Sequence, residues 1–283
     1  MKALDQEVIS WFLENKRDLP WRKTSPWGVM VSEFMLQQTP VSRVLPKWRQ
    51  WMERWPTPAA LASASAAEIL TAWGRLGYPR RALRLHECAK IITNEYAGNV
   101  PRTEAKLLAL PGIGEYTSAA IAAFAFEEKS LVLDINIRRF FSRVIDGVEF
   151  PTSTPNRDEK ISREALIPAQ GAHMWAASTM ELGALICTAK NPKCEICPVQ
   201  NRCAWKNLNY PKLDQVRKSQ GWHGTDRQCR GTIVQALREN RSLTESEIKS
   251  LCHDDSQLER SIRGLIQDGL IAEWAPKSYA LPH

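Results

Sequence analysis

The residues best suited to chemistry begin with four thiols, Cys187, Cys194, Cys197 and Cys203, spaced C-x6-C-x2-C-x5-C. Four thiolates in so short a stretch can enclose one inorganic centre, and a [4Fe–4S] cluster needs four of them at its corners. Structural zinc is the rival, but its knots usually pair two short Cys-x2-4-Cys knuckles across a long gap, and only one short knuckle exists here. Far upstream, Glu33 is flanked by Val29, Val31, Phe34 and Leu36. A buried carboxyl is a weaker acid and can hold a proton near neutrality; the bland alternative is a solvated helix glutamate. Asp134 follows the apolar run Leu131-Val132-Leu133, with Asn136 two residues on. Either Asp134 or Asn136 could be an ordinary N-cap of the helix continuing through Arg138 to Val144, and both roles can coexist. Leu110-Pro111-Gly112-Ile113-Gly114 reads as a tight turn between two helices. Gly112 and Gly114 permit successive N–H groups to face outward at a helix start, which suits a phosphate. A plain glycine-containing turn would look similar.

Positioning these groups falls to helices. Before residue 205 apolar residues recur at intervals of three and four, as in Val44, Leu45, Trp48, Trp51 and Met52, and alternating strand patterns are nearly absent. Ser65 with Glu68 predicts a capping box, and Thr39-Pro40 predicts a cap ahead of a proline at the first helical position. Residues 206–230 carry Lys206, Lys212, Arg217, Lys218, Arg227 and Arg230 with little apolar periodicity, and read as a basic linker. Beyond Gly231 the pattern predicts three helices, two of them capped by Thr244 with Glu247 and by Ser256 with Glu259. A small hairpin over 270–274 and 278–281 follows, which together suggests a winged helix or a plain three-helix appendage.

Composition sets the class. The chain has 283 residues, 43% of them hydrophobic and 24% charged, which is ordinary for a globular protein of two or three units. A net charge of +7 favours polyanionic partners, although a solubilising surface would carry the same bias. Of seven cysteines, Cys88, Cys229 and Cys252 stand apart from the four, and no pairing pattern links them. Reduced thiols beside a metal centre fit the cytosol. The first residues lack the apolar core of a signal peptide, and no run reaches membrane-spanning length.

Six motifs, in order, carry a resemblance that covers about residues 4–205: Leu19-Pro20-Trp21, Ser32 to Thr39 (SEFMLQQT), Leu76-Gly77-Tyr78, Leu110 to Thr117 (LPGIGEYT), Leu133 to Asn136 (LDIN), and Met180 to Cys187 (MELGALIC). The chain resembles the helix-hairpin-helix base-excision DNA glycosylases of the endonuclease III superfamily, and most closely the MutY-type adenine DNA glycosylases. The resemblance implies an all-α, two-lobed glycosylase fold with a [4Fe–4S] cluster loop, followed by a small winged-helix-like α(+β) domain. The expected divisions are 1–22 with 131–205 as the cluster lobe, 23–130 as the hairpin lobe, 206–230 as linker and 231–283 as the C-terminal domain. It implies hydrolysis of the bond between deoxyribose and an adenine mispaired with 8-oxoguanine or guanine.

By the same resemblance, Glu33 protonates adenine at N7, and Asp134 steadies the cationic sugar. Tyr116 hydrogen-bonds near that carboxylate and Asn136 orients its loop. Strand-cutting relatives carry a lysine where Tyr116 stands; a phenol cannot form a Schiff base, so a monofunctional enzyme leaving an abasic site is expected. The base must be flipped out of the duplex. Gln37 and Gln38 of the QQT segment and Tyr78 are implied at the wedge, Gly112 and Gly114 at the backbone, Glu181 at the adenine edge, and Trp21 and Arg22 at the pocket wall. Lys190 and Lys193 are implied at phosphates, and Cys187, Cys194, Cys197 and Cys203 on the cluster. Double-stranded DNA is the implied partner, with a monomer in a bacterial-type cytosol. The sequence departs from the family at Ile135, where a small residue is usual, and in lacking a β-rich Nudix-like C-terminal domain. Two rivals remain: a T·G or U·G mismatch glycosylase, and a non-catalytic iron–sulfur protein that binds damaged DNA.

Overall fold

A computed structural model describes residues 3–212, 221, 223–252 and 254–282. In chain order its helices are α1 (Leu4–Asn15), α2 (Pro26–Leu36), α3 (Val41–Arg54), α4 (Pro58–Ala62), α5 (Ala66–Trp73), α6 (Arg80–Glu95), α7 (Glu104–Leu108), α8 (Glu115–Phe126), α9 (Ile135–Val144), α10 (Arg157–Glu164), α11 (Ala172–Leu185) and α12 (Ala204–Asn207). A C-terminal module follows: α13 (Asp226–Glu239), β1 (Leu243–Thr244), α14 (Glu245–Lys249), α15 (Asp255–Gln267), β2 (Ala272–Ala275) and β3 (Ser278–Ala280). The chain divides into two compact units. One comprises Met1–Val29, Arg102–Leu108 and Ile113–Val216; the other Met30–Pro101, Ala109–Gly112 and Arg217–His283.

The core of the first unit gathers Val8, Ala120, Ile137, Phe140, Phe141, Trp175 and Leu182. Helix α8 (EYTSAAIAAFAF) has no polar stripe and buries seven consecutive residues, Thr117 to Ala123. A helix apolar on all sides must sit inside, and small alanines let its neighbours come close. Helix α9 buries everything from Ile137 to Val144, three arginines included. Buried guanidinium groups survive only when their donors are satisfied, and these are. Arg138 pairs with both oxygens of Glu159 at 2.7 Å; Arg139 and Arg143 donate to backbone carbonyls.

Three of the chain's eleven tryptophans pack together in the second unit. Trp51 lies edge-on to Trp55 and Trp73, with ring centroids 4.9 and 5.4 Å apart, contacts worth about 0.5–1.5 kcal/mol each beyond area burial. The capping box of Ser65 and Glu68 forms as the sequence predicts, as does that of Thr244 and Glu247. Two predicted caps are corrected. Pro40 itself is the N-cap of α3, and the Thr39 hydroxyl turns instead to the carbonyls of Gln37 and Leu76. Asp254 rather than Ser256 caps α15 by accepting from Gln257 N–H at 3.0 Å: the helix starts two residues earlier than the predicted box, so the orphan donor is that of Gln257 and not of Glu259.

The C-terminal module has a three-stranded antiparallel sheet of order β1-β3-β2, with Leu243 opposite Tyr279 and Glu273 opposite Tyr279 on the two sides of β3. The hairpin was legible; β1, only two residues long, has no alternation to read. Helix α13 begins at Asp226, inside the stretch read as linker; 213–220, with Arg217 and Lys218, lie outside the described residues. Cys229 and Cys252 form a disulfide, Cα atoms 6.0 Å apart. Sequence alone does not pair them, because 22 residues intervene; the module's buried core brings both together.

Candidate active site and iron–sulfur loop

Asp134 is the N-cap of α9. Its Oδ1 accepts from Ile137 N–H at 2.6 Å and its Oδ2 from Asn136 Nδ2 at 2.7 Å. Burial pushes this carboxyl's pKa up; the hydrogen bonds from Ile137 and Asn136 and the charge of Arg139 pull the other way. The helix N-terminus also favours the anion. The two readings of Asp134 thus coincide in one group: a cap and a fixed carboxylate. Asn136 is fixed in turn, its Oδ1 accepting from Arg139 Nη2 at 2.8 Å. Arg139 continues to the Gly183 carbonyl at 2.6 Å and the Cys187 carbonyl at 2.7 Å. Gly183 is there because nothing larger fits: a Cβ would stand 2.6 Å from the Asn136 carbonyl oxygen.

Cys187, Cys194, Cys197 and Cys203 line one cavity together with Phe140, Arg143, Ile186 and Trp205. Among the described residues no group of three or more His, Cys, Asp or Glu side chains is drawn together round a single ion. The donor set of the cavity suits a [4Fe–4S] cluster: four thiols and no carboxylate, with a buried cation beside them. Arg143 Nη1 lies 3.5 Å from Cys187 Sγ and 2.8 Å from the Thr188 carbonyl, and its guanidinium stacks over Trp205 at 4.5 Å. Burial pushes Cys197 up to about 11, and Cys203 up as well, so iron's own charge must hold these sulfurs as thiolates. Lys190 and Lys193 are exposed on the loop between the first two cysteines.

Glu181 is 2% exposed, and both its oxygens are engaged. Oε1 accepts from the Arg17 backbone N–H and Nε at 2.9 Å, and Oε2 from Arg17 Nη2 at 2.6 Å. Arg22 adds a contact at 3.0 Å. Burial alone would raise Glu181, but the Arg17 hydrogen bonds, with the charges of Arg22 and Arg17, outweigh it and hold the carboxyl below its usual range. Trp21 is buried beside them in sequence. Tyr116, second residue of α8, packs half-buried against the first unit's core.

In the second unit, Glu33 on α2 is 5% exposed, which disposes of a solvated helix glutamate. The helix ends at Leu36, leaving Gln37 half-buried and Gln38 exposed with φ 52°. Arg81 ties this end to the next loop. Its Nη1 donates to the carbonyls of Phe34 (2.9 Å), Met35 (3.1 Å) and Gln37, and its Nη2 to Thr39 Oγ1 and the Gly77 carbonyl, each at 3.0 Å. The structure therefore brings Gln37 and Tyr78 to one anchoring cation. Gly112, φ 76°, passes so close to α6 that a Cβ would meet Arg84 Cβ at 2.9 Å; its neighbour Pro111 accepts from the Cys88 thiol at 3.1 Å. Gly114 is the N-cap of α8.

Sequence reasoning missed Arg17, Arg81, Arg139, Arg143 and Gly183. Only Gly183 lay within a quoted motif. The arginines looked like surface charge, and their buried carbonyl and carboxylate partners come from distant parts of the chain.

Residues 31–163 match the HhH-GPD superfamily of base excision DNA repair proteins, and 187–203 match the iron–sulfur binding domain of endonuclease III. Among solved structures, a thermostable thymine-DNA glycosylase superposes with a TM-score of 0.64 at 27% identity, covering 72% of this chain and 95% of that one. Fold and site define a helix-hairpin-helix base-excision glycosylase that carries an iron–sulfur cluster. The adenine DNA glycosylase of Mycolicibacterium smegmatis is 46% identical over 280 residues, 97% of this chain and 94% of its own. That of Mycobacterium tuberculosis is 42% identical over 284 residues, 98% and 93% of the two chains. The chain belongs to the adenine DNA glycosylase family, and the likeness runs through the C-terminal module.

Proposed function

We propose that this enzyme hydrolyses the N-glycosidic bond of adenine mispaired with 8-oxoguanine or guanine in double-stranded DNA, without cutting the strand. The observation that carries the reading is the pair of withdrawn carboxyl groups, Glu33 inside α2 and Asp134 locked at the head of α9. Loss of adenine requires a proton on the base and a negative charge near the sugar as the C1′–N9 bond breaks. Glu33 supplies the proton at N7. Asp134, its oxygens oriented by Ile137 and Asn136, stabilises the oxocarbenium-like sugar, and water completes the sugar at C1′. The products are free adenine and an abasic site. General acid help of this kind is worth about 10²–10⁴-fold. Tyr116 offers no amine, so no Schiff base follows. The cluster, when bound by the four cysteines, supplies a rigid charged anchor for the loop bearing Lys190 and Lys193. Arg139 and Arg143 bind that loop's carbonyls to α9.

The thymine-DNA glycosylase neighbour keeps one alternative open: removal of thymine from T·G pairs. Adenine is favoured because adenine DNA glycosylases match over nearly the whole chain at 46 and 42% identity, against 27% over 72% of the chain for that neighbour. The test is single-turnover base release from duplexes carrying A·8-oxoguanine, A·G and T·G. Adenine release is expected from the first two; preferential thymine release would overturn the reading. Glu33→Gln and Asp134→Asn should bind the A·8-oxoguanine duplex as wild type yet release adenine at least about 10²-fold more slowly. Undiminished turnover in either would remove the acid–anion pair from the mechanism.

A further inference from the structure

Tyr78 is a bulky side chain in an unusual place. Its backbone sits in the left-handed region, φ 47°, and the residue is 42% exposed. A non-glycine residue holds that conformation only where its surroundings over-determine it. Part of the restraint is local: Trp73 Nε1 donates to the Gly77 carbonyl at 2.9 Å, and Arg81 donates to the Gly77 carbonyl at 3.0 Å and the Tyr78 carbonyl at 3.4 Å. The ring itself is held by two guanidinium groups. That of Arg81 lies 5.6 Å from the ring centroid, and that of Arg227, from the C-terminal module, lies closer, at 4.7 Å.

The module also grips both flanks of this loop. On the near side, Leu70 of α5 is buried in the module's own core with Ile233, Val234 and Leu237, and Arg238 Nε donates to its carbonyl at 2.9 Å. On the far side, Arg80, first residue of α6, pairs at 3.1 Å with Asp268, which also holds Arg230 of α13. The wedge loop is thus bracketed by α13 and the end of α15 while Arg227 covers its exposed ring.

We propose that the C-terminal module is a positioning element for the Tyr78 wedge, with Arg227 as the positioning residue that holds the tyrosine ring in its inserting orientation. This rests on the reading of Tyr78 as the residue that enters the base stack. A cation over an exposed ring biases its orientation modestly, so the effect falls on the rate of base extrusion rather than on general DNA affinity.

The experiment uses the full-length, cluster-loaded protein and single-turnover adenine release from A·8-oxoguanine and A·G duplexes. It compares Tyr78→Ala, Arg227→Ala, Arg227→Lys and the double variant Tyr78→Ala/Arg227→Ala, with duplex affinity measured at two salt concentrations. Tyr78→Ala is expected to lose roughly tenfold or more in rate. Arg227→Ala should lose roughly three- to fivefold, Arg227→Lys should recover part of that, and the double variant should be no slower than Tyr78→Ala alone. If Tyr78→Ala runs at the wild-type rate, the wedge reading fails and takes this inference with it. If Tyr78→Ala is slow but Arg227→Ala is not, or the two losses multiply, the wedge stands and the positioning role is overturned. A uniform loss of affinity in Arg227→Ala with a shallower salt dependence would mark a phosphate contact and overturn it too.

Discussion

Single side chains in this protein carry opposite electrostatic histories, and stability should record both. Asp134 is pushed above its unfolded pKa by burial. The unfolded chain therefore binds fewer protons than the folded one in the interval between the two values, and the group costs stability at neutral pH that is relieved on acidification. Asp134→Asn removes that cost but sets an amide NH2 against Asn136 Nδ2, which in the wild type donates to Oδ2. Its melting temperature relative to wild type should therefore be highest near pH 7.5 and fall as pH drops through the aspartate range, while base release is lost. A gap that does not move with pH would contradict this. Glu181 is the reverse case, held below its ordinary value. Its stabilisation is complete above the ordinary glutamate pKa and disappears as pH falls through the lowered one. Glu181→Gln strands Arg17 and Arg22 beside a neutral amide and should cost about 2 kcal/mol at pH 7, the loss tempered because Arg17 is partly exposed. Urea melts at pH 7 and at strongly acidic pH would show the gap narrowing; a gap that persists in acid would mean lost packing instead. The sequence named both carboxyls, since each sits in a quoted motif. It could not assign Arg17 to Glu181, because they lie 164 positions apart.

Elements work here by close approach. Helix α11 touches the head of α9 only because residue 183 lacks a side chain. Gly183→Ala must displace the Asn136 backbone, and with it the cap that aims Asp134. The expected loss is about 1–3 kcal/mol of stability together with a fall in single-turnover rate larger than any fall in duplex affinity. Wild-type rate in a destabilised Gly183→Ala would separate the packing contact from the site. Helix α9 illustrates why periodicity alone misleads: a run reading Arg138-Arg139 then Arg143 suggests a solvated stripe, yet all three are buried. What decides their fate is the supply of carbonyls from the iron–sulfur loop and of Glu159 from α10. The caps at Ser65 and Thr244 were legible because a capping box is complete within four residues.

For the molecule as a whole, the excess of +7 should appear as a salt-dependent, sequence-tolerant component of DNA affinity beneath the recognition of adenine. Lys190 and Lys193 stand exposed on the iron–sulfur loop. Replacing either with alanine should weaken binding to matched and mispaired duplexes alike and reduce the slope of log affinity against log salt by about one. A change confined to mispaired duplexes would give these lysines a different role. The short C-terminal module belongs to the same scale. Its sheet and helices fold around Ile233, Val234 and Ile248, but Leu70 of α5 completes that core, so its removal would uncover α5 as well as shorten the chain.

By itself the sequence determined the class: the cysteine spacing, the glycine turn and the carboxyls of Glu33 and Asp134 are local signals, each readable within a few residues. It also determined most helices, because caps and apolar spacing act over one or two turns. Tertiary structure alone decided which charges are fixed and to what: Arg17 on Glu181, Arg139 between Asn136 and Cys187, Arg81 and Arg227 around Tyr78, and Cys229 with Cys252. A buried arginine and an exposed one are the same letter, and the difference lies in desolvation and in partners that only the folded chain brings within hydrogen-bonding distance.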